Sequence, residues 1–405
     1  MRRKMGALIA AILSLSLVAC SGGFGTASAL SGEAAGSLSN PQSQSASATD
    51  GEPIKIGLCI PVTGNFAASA VRIQQGVKLA VKEINEGGGL LGGRPIKLVV
   101  EDDQANSDIS VQMINKLASQ DVSAIIGPYL SANTLAAADT ITQNELVCIN
   151  GNSSVALRAL ENKWYFRCRA ADNIAVQALA KKVSESGATK VAIMCVNDEI
   201  GQAAAKLYME YFDSVGMPYF NEGHNTEDTD MTGQLTKAMA EGCDAWVMST
   251  HNNAVAVIAR QMNELGIKNQ PVFTNPIIAQ TEVLALMEPE WIEGWQCVSD
   301  FSYTDEREFQ ADFARRFKEE YNEEADVQAA IYYSCMTVLA DSIERAGSDD
   351  RAQIRDAMAQ TSGLQVPIGT VRATADEYTN IIFEIAVSEI RDLTPYIIDT
   401  VSLID

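Results

Sequence analysis

Apolar runs of strand length alternate along the chain with stretches whose apolar residues recur at helical spacing. The first series of apolar runs is IKIGLCI (54–60), IKLVVEDD (96–103), VSAIIGPYL (122–130) and LVCING (146–151). Amphipathic stretches such as AVRIQQGVKLAVKEINEGGG separate them. Nearly continuous apolar strands that alternate with helices are typical of a parallel sheet with helices on both faces. The pattern therefore predicts an α/β, doubly wound unit.

A second series of the same kind follows the segment YFRCRAADN. Its apolar runs are TKVAIMCVND (189–198), DAWVMST (244–250) and PVFTNP (271–276). The region 305–347 has the periodicity of two helices, which can return to the first unit. GTVRAT and IIFEIAVSEI are predicted to be closing strands. One chain is therefore expected to carry two doubly wound units.

The first twenty residues have the pattern of an export signal. Residues 2–4 are basic, and the apolar run that follows is too short to span a bilayer comfortably. The sequence LVAC (17–20) resembles a bacterial lipoprotein box, which implies cleavage before Cys20 and lipid attachment to its thiol. An ordinary secretory peptide with an incidental cysteine and an uncleaved anchor are the alternatives. Residues 1–19 are assigned as the signal peptide.

A polar segment connects this signal to the rest of the chain. Residues 20–52 are rich in Ser, Gly and Ala and have few large apolar residues, so they are predicted to form a flexible linker. No other stretch has the length and apolarity of a transmembrane helix. The body that starts at Pro53 has about 350 residues, enough for two lobes with substantial cores.

Composition excludes several classes of function. The formal net charge of −22 argues against nucleic acid, which demands a basic face, and against a body that lies on anionic lipid. The eight cysteines include Cys20 and no CxxC pair, so we expect mostly free buried thiols with room for one disulfide bridge. With two histidines and no Cys/His grouping, neither a metal site nor another cofactor is expected. The glycine-rich segment GGGLLGG leaves a helix and lacks the lysine of a phosphate loop, so it is interpreted as a turn.

Two strand tips in the first unit have the polar residues that a ligand site needs. In open α/β sheets, ligands bind beyond the carboxyl ends of the strands, next to helix N-termini. In AIIGPYLSANT a helix opens at Ser131, and in VCINGNSSVAL the next polar turn is 150–154. Both turns offer free backbone N–H groups and hydroxyls, which suit an anionic group such as a carboxylate. Each turn alone is also explained by helix capping.

The chain resembles a known family at these and other segments. IKIGLCIPVTGNFA, QQGVKLAVKEINEGGGLLGGRPIKLVVEDDQ, IIGPYLSANTLAAAD and NDEIG are similar to the leucine/isoleucine/valine-binding proteins, receptors of ABC importers with the type 1 periplasmic binding fold. The resemblance covers essentially the whole body. It implies two lobes joined by three crossovers, with the ligand in the cleft between them. We assign 53–171 plus 302–375 to lobe 1 and 172–301 plus 376–405 to lobe 2.

The resemblance also implies candidate ligand-binding positions in both lobes. In lobe 1, the positions at which the family contacts the ligand carboxylate correspond to Ser131, the backbone of Asn152 and Ser153, and Ser154. Tyr129 is a candidate for a wall of the site. A position at which the family has an aromatic residue corresponds to Ser69, and Phe66 is close by. In lobe 2, two positions at which the family has tyrosine correspond to Ile200 and His251. The acidic partner of a ligand ammonium falls near Asn275, where no acid is present, and Asp198 is the nearest surviving acid.

The histidines have competing interpretations. His251 follows the apolar run DAWVMST, so it either faces the cleft and contacts ligand, or caps the next helix, or lies at the surface. His224 lies in the polar stretch NEGHNTEDTD and is expected to be solvated.

A non-catalytic receptor is the function that these features favour. The hypothesis is an exported, lipid-anchored solute-binding protein, monomeric, that captures an amino acid or related small polar carboxylate or amide. It would deliver this solute to the permease and ATPase subunits of an ABC importer. A sensor of the same fold that reports to a signalling partner is the alternative. An enzyme fits poorly, because the hydrolase motif G-x-S-x-G is absent.

Overall fold

The computed structural model describes residues 51–373 and 384–402, all of which lie within one compact unit. The predicted signal peptide, Cys20 and nearly all of the linker lie outside the described residues. Among the residues that are described, no helix has both the length and the apolarity needed to cross a membrane.

Strands and helices alternate over most of the body, as the hydrophobic pattern predicts. The strands are β1 (Ile54–Ile60), β2 (Ile96–Asp102), β3 (Ala124–Ile126), β4 (Val147–Asn150), β5 (Tyr165–Arg167), β6 (Val191–Cys195), β7 (Tyr219–Asn221), β8 (Ala245–Ser249), β9 (Val272–Thr274), β10 (Gln296–Ser299), β11 (Ser362–Val366), β12 (Gly369–Arg372), β13 (Glu384–Arg391) and β14 (Thr394–Ser402).

The helices surround the two main sheets. They are α1 (Ala67–Glu86), α2 (Ser107–Ser119), α3 (Ser131–Gln143), α4 (Asp172–Glu185), α5 (Glu199–Val215), α6 (Thr232–Ala240), α7 (Asn252–Glu264), α8 (Thr281–Leu284), α9 (Pro289–Ile292), α10 (Glu308–Tyr321), α11 (Val327–Ala346) and α12 (Arg351–Met358). Two short 3₁₀ helices cover Val155–Leu160 and Pro276–Ala279.

The first main sheet has five parallel strands in the order β2-β1-β3-β4-β5. Strands β3, β4 and β5 are buried at every residue, because helices cover both faces of the sheet. The helices α10, α11 and α12 pack into the same apolar core as this sheet, so the chain returns to it as predicted. Helices α1 and α11 approach so closely that a Cβ at Gly76 would come within 2.2 Å of the Ala329 carbonyl oxygen.

The second main sheet has seven strands in the order β14-β13-β10-β9-β8-β6-β7. Its five strands from β6 to β10 are parallel, whereas β13 pairs antiparallel with both β10 and β14. The sequence pattern predicted β13 but not β14. Two separate apolar cores cover the two faces of this sheet. Strands β11 and β12 form a separate antiparallel hairpin.

In the part of the chain that the structure describes, the backbone passes between the two main sheets at two places. It leaves the first sheet after β5, at 168–171, and returns after β10, at 300–307. The third crossover that the family resemblance implies stays a prediction, because the segment 374–383 between β12 and β13 lies outside the described residues. The boundaries of the two lobes, 53–171 plus 302–375 and 172–301 plus 376–405, stay a prediction.

The cysteines of the body are free and buried. Cys59, Cys148, Cys168, Cys195, Cys243, Cys297 and Cys335 form no disulfide, so the bridge for which the sequence left room is not formed. Burial raises the pKa of Cys195 and of Cys297 to about 12, which keeps both thiols protonated and unreactive at neutral pH.

Candidate functional site

Two polar turns lie side by side at the carboxyl edge of the first sheet. Strands β3 and β4 are neighbours, with Ile126 opposite Ile149, so the turns that follow them are adjacent. Gly127 has φ +106, and a Cβ there would come within 2.0 Å of the Cys59 carbonyl oxygen, so only glycine fits. A cis peptide bond joins Gly127 to Pro128, and α3 begins three residues later.

A buried amide network fixes the second turn against α3. The Thr134 hydroxyl accepts hydrogen bonds from Asn150 Nδ2 (3.1 Å) and Asn152 Nδ2 (2.7 Å). The Asn150 side-chain oxygen accepts from the Tyr165 hydroxyl (2.9 Å) and from the Asn152 amide (3.1 Å). All of these groups are buried, so the network holds the turn in one position relative to the helix.

Several backbone amides at this edge have no hydrogen-bond partner among the described residues. Helix α3 has no side-chain cap, and its first internal bond runs from the Thr134 amide to the Leu130 carbonyl at 3.1 Å. The unengaged amides are those of Ser131, Ala132, Asn133, Ser153, Ser154 and Val155. The Ser131 hydroxyl likewise makes no hydrogen bond with a described residue. We call these amides and this hydroxyl the strand-tip cradle.

The predicted lobe 1 residues occupy different positions around the strand-tip cradle. Ser131 and Ser154 are half-buried, and the Ser154 hydroxyl accepts a hydrogen bond of 3.3 Å from the Ala156 amide. Ser153 accepts a backbone bond of 2.9 Å from Asp172 through its carbonyl. Asn152 is buried, and both its backbone amide and its side chain are engaged in the network, so it supports the turn and offers no free donor.

An aromatic group adjoins the first of the two turns. The rings of Phe66 and Tyr129 have centroids 5.8 Å apart at 61°, and Tyr129 lies 6.5 Å from the buried Tyr332. Phe66 is 37% exposed, and Ser69 is half-buried in the first turn of α1. The structure thus brings Phe66 and Tyr129 together as one wall, with Ser69 on the same helix start.

Arg167 lies under the second turn. This residue ends β5 and is 1% exposed. Its guanidinium donates from Nη2 to the Ser154 carbonyl at 2.8 Å and from Nη1 to the Ser153 carbonyl at 3.4 Å. Sequence analysis missed this residue, because a charged side chain at a strand end gives no sign that tertiary contacts will bury it.

Asp172 is a second residue that sequence analysis missed. It begins α4, and its amide bond to Ser153 places it beside the strand-tip cradle. Its half-buried carboxylate makes no hydrogen bond with a described residue. Asp172 also lies close enough to Arg169 and Asp300 to affect the pKa values of both. The same signal that identified Ser131, a helix start after a strand end, is present here.

In the second sheet, Asp198 and His251 form a pair at two neighbouring strand ends. They follow the paired strands β6 and β8 and occupy the N-cap positions of α5 and α7. Asp198 Oδ2 lies 2.7 Å from His251 Nε2, and its Oδ1 accepts from the Gly201 amide at 2.9 Å. Burial alone would raise the pKa of Asp198, but these two hydrogen bonds outweigh it and lower the pKa. Nearby Ile200 is 62% exposed.

The prediction that His224 is solvated is wrong. His224 is fully buried, and its ring lies between the Asn225 carbonyl (3.1 Å from Nδ1) and the Thr250 hydroxyl (3.0 Å from Nε2). The carbonyl can only accept, so Nδ1 carries the proton and Nε2 accepts from Thr250. Burial lowers the pKa of His224, which favours the neutral ring.

Asn275 is anchored by its own strand end. Its Nδ2 donates to the Thr250 carbonyl at 3.0 Å, and its Oδ1 accepts from the Thr274 hydroxyl at 3.1 Å. Asp198, the acid that the sequence offers in its place, follows β6 and is paired with His251. Among the described residues, no group of three or more His, Cys, Asp or Glu side chains is arranged to hold a metal ion.

Comparison with known proteins gives consistent matches over the body of the chain. A family model described as periplasmic binding protein matches residues 53–391. The Leu/Ile/Val-binding protein homolog 1 of Brucella suis is 24% identical over 324 residues, which are 78% of this chain and 85% of that protein.

Solved structures give the same result for the fold. The branched-chain amino acid transporter substrate-binding protein LivJ of Streptococcus pneumoniae, in complex with isoleucine, has 25% identity and a TM-score of 0.73, and covers 86% of this chain and 99% of its own. A solute-binding protein of an ABC transporter from Rhodopseudomonas palustris, in complex with 3,4-dihydroxybenzoic acid, has 19% identity and a TM-score of 0.73. The match covers 87% of this chain and 98% of that protein. These similarities confirm the predicted two-lobed α/β fold class.

Proposed function

The chain belongs to the periplasmic binding protein family, and from that premise we propose that it is the solute-binding lipoprotein of an ABC importer. The family consists of solute-binding proteins, which confirms the expectation that the chain is not an enzyme, and membership implies an extracytoplasmic location. The solute is an amino acid or a related small polar carboxylate or amide. The observation that carries the proposal is the strand-tip cradle.

The strand-tip cradle suits the carboxylate end of a solute. Its amides lie on two adjacent turns, and those of Ser131–Asn133 also form the positive end of the α3 dipole. Each hydrogen bond to a charged group contributes about 1.5–3 kcal/mol. Similar structures hold isoleucine in one case and 3,4-dihydroxybenzoic acid in another, and both of these guests carry a carboxyl group.

The opposite end of the solute meets a less usual set of groups. Asn275 offers an amide where the family resemblance implies an acid, and its side chain is engaged with Thr250 and Thr274. A buried ammonium needs an anion or several acceptors. Asp172 supplies a carboxylate without a hydrogen-bond partner among the described residues, next to Ser153. Asp198 and His251, with Ile200, form the facing wall on lobe 2.

Capture proceeds by closure of the two lobes. A solute that contacts both lobes only in the closed form shifts the population towards closure. The passages at 168–171 and 300–307 connect the two sheets and are the places where a hinge would act. The permease and ATPase subunits would then recognise the closed, monomeric protein.

A lipid on Cys20 would keep the body near the membrane. The segment 21–52 has the composition of a flexible coil, with a root-mean-square span of roughly 30 Å. Two or more acyl chains on one residue give stable anchoring, where a single chain is marginal. The body would therefore sample the space above a permease without leaving the membrane.

A thermal-shift screen tests this function. The purified protein is tested against amino acids, short amides, ureas and small carboxylates. We expect at least one carboxylate-bearing solute to raise the melting temperature, and the double variant Ser131→Ala with Ser154→Ala to weaken its binding strongly. Ser119→Ala, at an exposed serine that ends α2, is the matched control. A solute that binds the double variant unchanged places the site elsewhere.

A further inference from the structure

Arg167 carries a buried positive charge that has no counter-ion in the described part of the chain. It is 1% exposed and makes no ion pair with a described residue. Its Nε is enclosed and lacks any hydrogen-bond partner, and its Nη atoms donate to the Ser153 and Ser154 carbonyls beside the uncharged Tyr165 hydroxyl. The neighbouring Arg169 differs, because its Nε lies 2.7 Å from the carboxylate of Asp300.

An uncompensated buried cation is unfavourable in a folded protein. Taking a charged group out of water costs free energy that a nearby carboxylate normally offsets. Carbonyl dipoles offset part of this cost, but they leave the net charge in place. An anion bound close to Arg167 would complete the balance, and the strand-tip cradle is the place next to it where unengaged donors are concentrated.

The two carbonyl contacts also decide which way the neighbouring amides point. A trans peptide is planar, and its N–H points away from its C=O. Because the Ser153 and Ser154 carbonyls are drawn to Arg167, the amides of Ser154 and Val155 are turned away from the guanidinium. Those two amides are among the unengaged donors. Arg167 therefore orients the strand-tip cradle and adds a positive charge beneath it.

We propose that Arg167 is a positioning residue that makes the site selective for solutes bearing a carboxylate over their uncharged amide counterparts. This inference rests on the proposed function and narrows it, since an amide end would leave the charge of Arg167 unbalanced. Arg167 acts through the amides of Ser154 and Val155, and no direct contact with the solute is required.

Acetate and acetamide form the probe pair for this inference, because they share one shape and differ in charge. Their effect on the melting temperature of the full-length protein is measured at constant ionic strength. We expect acetate to raise that temperature saturably, by about 2 °C near ten times its dissociation constant, and acetamide to have no such effect. Wild-type protein that responds equally to both, or to neither, overturns the inference.

Three variants distinguish an effect of the Arg167 charge on solute binding from an effect of this residue on folding. Arg167→Gln should lose at least about tenfold in acetate affinity, and Arg167→Lys should keep the preference for acetate. Arg169→Gln breaks the ion pair with Asp300 and should lower the melting temperature, but it should keep the wild-type ratio of acetate to acetamide binding. A merely structural role would lower the melting temperature of Arg167→Gln without changing the ratio of acetate to acetamide binding. If Arg167→Gln does not fold, a folded Arg167→Lys without the preference for acetate overturns the inference.

The same experiment distinguishes this inference from the proposed function. A solute from the screen that binds Arg167→Gln as tightly as wild type contradicts the role of Arg167 and leaves solute capture intact. If neither acetate nor any carboxylate of the screen binds the wild-type protein, both proposals fail.

Discussion

The backbone amide of Asp172 donates a hydrogen bond of 2.9 Å to the carbonyl oxygen of Ser153. Asp172 begins α4, and Ser153 belongs to the strand-tip cradle, so this bond joins the start of α4 to the proposed carboxylate site. A solute carboxylate at the strand-tip cradle and a solute ammonium at Asp172 would then be neighbours, as they are in an α-amino acid.

Replacing Asp172 by Asn tests whether an ammonium is recognised there. We expect calorimetry to show an amino acid binding Asp172→Asn at least about tenfold more weakly, since a charge-assisted hydrogen bond of about 1.5–3 kcal/mol is lost. The 2-oxo acid of the same carbon skeleton has no ammonium and should bind both proteins equally. Equal losses for both solutes would mean that Asp172 supports the turn and does not contact the ammonium.

The ion pair of Arg169 and Asp300 is expected to stabilise the fold. It joins two of the passages between the sheets, and its side chains are 20% and 4% exposed. Burial raises the pKa of Asp300, and the charge of Arg169 offsets only part of that effect. Removing one partner of a buried pair costs about 3–5 kcal/mol, so Asp300→Asn should lower the free energy of unfolding by that order.

A surface pair supplies the control for this prediction. Arg315 and Glu319 are 56% and 63% exposed, and such pairs contribute about 0–1 kcal/mol. Denaturant unfolding of Glu319→Gln should therefore differ little from wild type. An Asp300→Asn variant as stable as Glu319→Gln would show that the Arg169 pair is solvated in solution.

His224 predicts a pH dependence of stability. Its pKa is lowered in the folded protein, so the unfolded chain binds a proton more readily, and the free energy of unfolding falls as pH drops below the unfolded value of about 6.5. His224→Gln should flatten the change in melting temperature between about pH 7 and pH 5. The other histidine provides the control, since His251→Gln should keep the decline. An unchanged slope in His224→Gln would contradict a buried neutral ring.

Cys20 governs membrane attachment in this account. The variant Cys20→Ala removes the thiol that would carry the lipid, so the protein should move from the membrane fraction to the soluble fraction of fractionated cells. Cys59→Ala, at a buried thiol of the body, should leave the distribution unchanged. A Cys20→Ala protein that still sediments with membranes would favour an uncleaved anchor.

Sequence patterns were sufficient where burial follows directly from apolarity. The run IKIGLCI is β1 from end to end, and every residue in it except Lys55 is buried, because helices cover both faces of its sheet. Strand β14 was missed because it lies at the sheet edge and mixes exposed and buried residues, which gives no continuous apolar run.

Charged and polar site residues were harder to predict, because their surroundings come from distant parts of the chain. Ser131 and Ser154 could be identified from their place after apolar strands. Arg167 is buried by the turn that follows β4, and His224 is enclosed because it bridges to Val196 and lies against Thr250. Neither contact can be recognised from the residues that neighbour Arg167 or His224 in the sequence.

The most direct test of the central claim is a crystal structure of the protein saturated with the best solute of the screen. The account predicts that the solute carboxylate lies within hydrogen-bond distance of the Ser131 hydroxyl and the Ser154 amide, with Asp198 and His251 on the facing side. A solute bound away from the strand-tip cradle, or no change in the angle between the lobes relative to the empty protein, would contradict it.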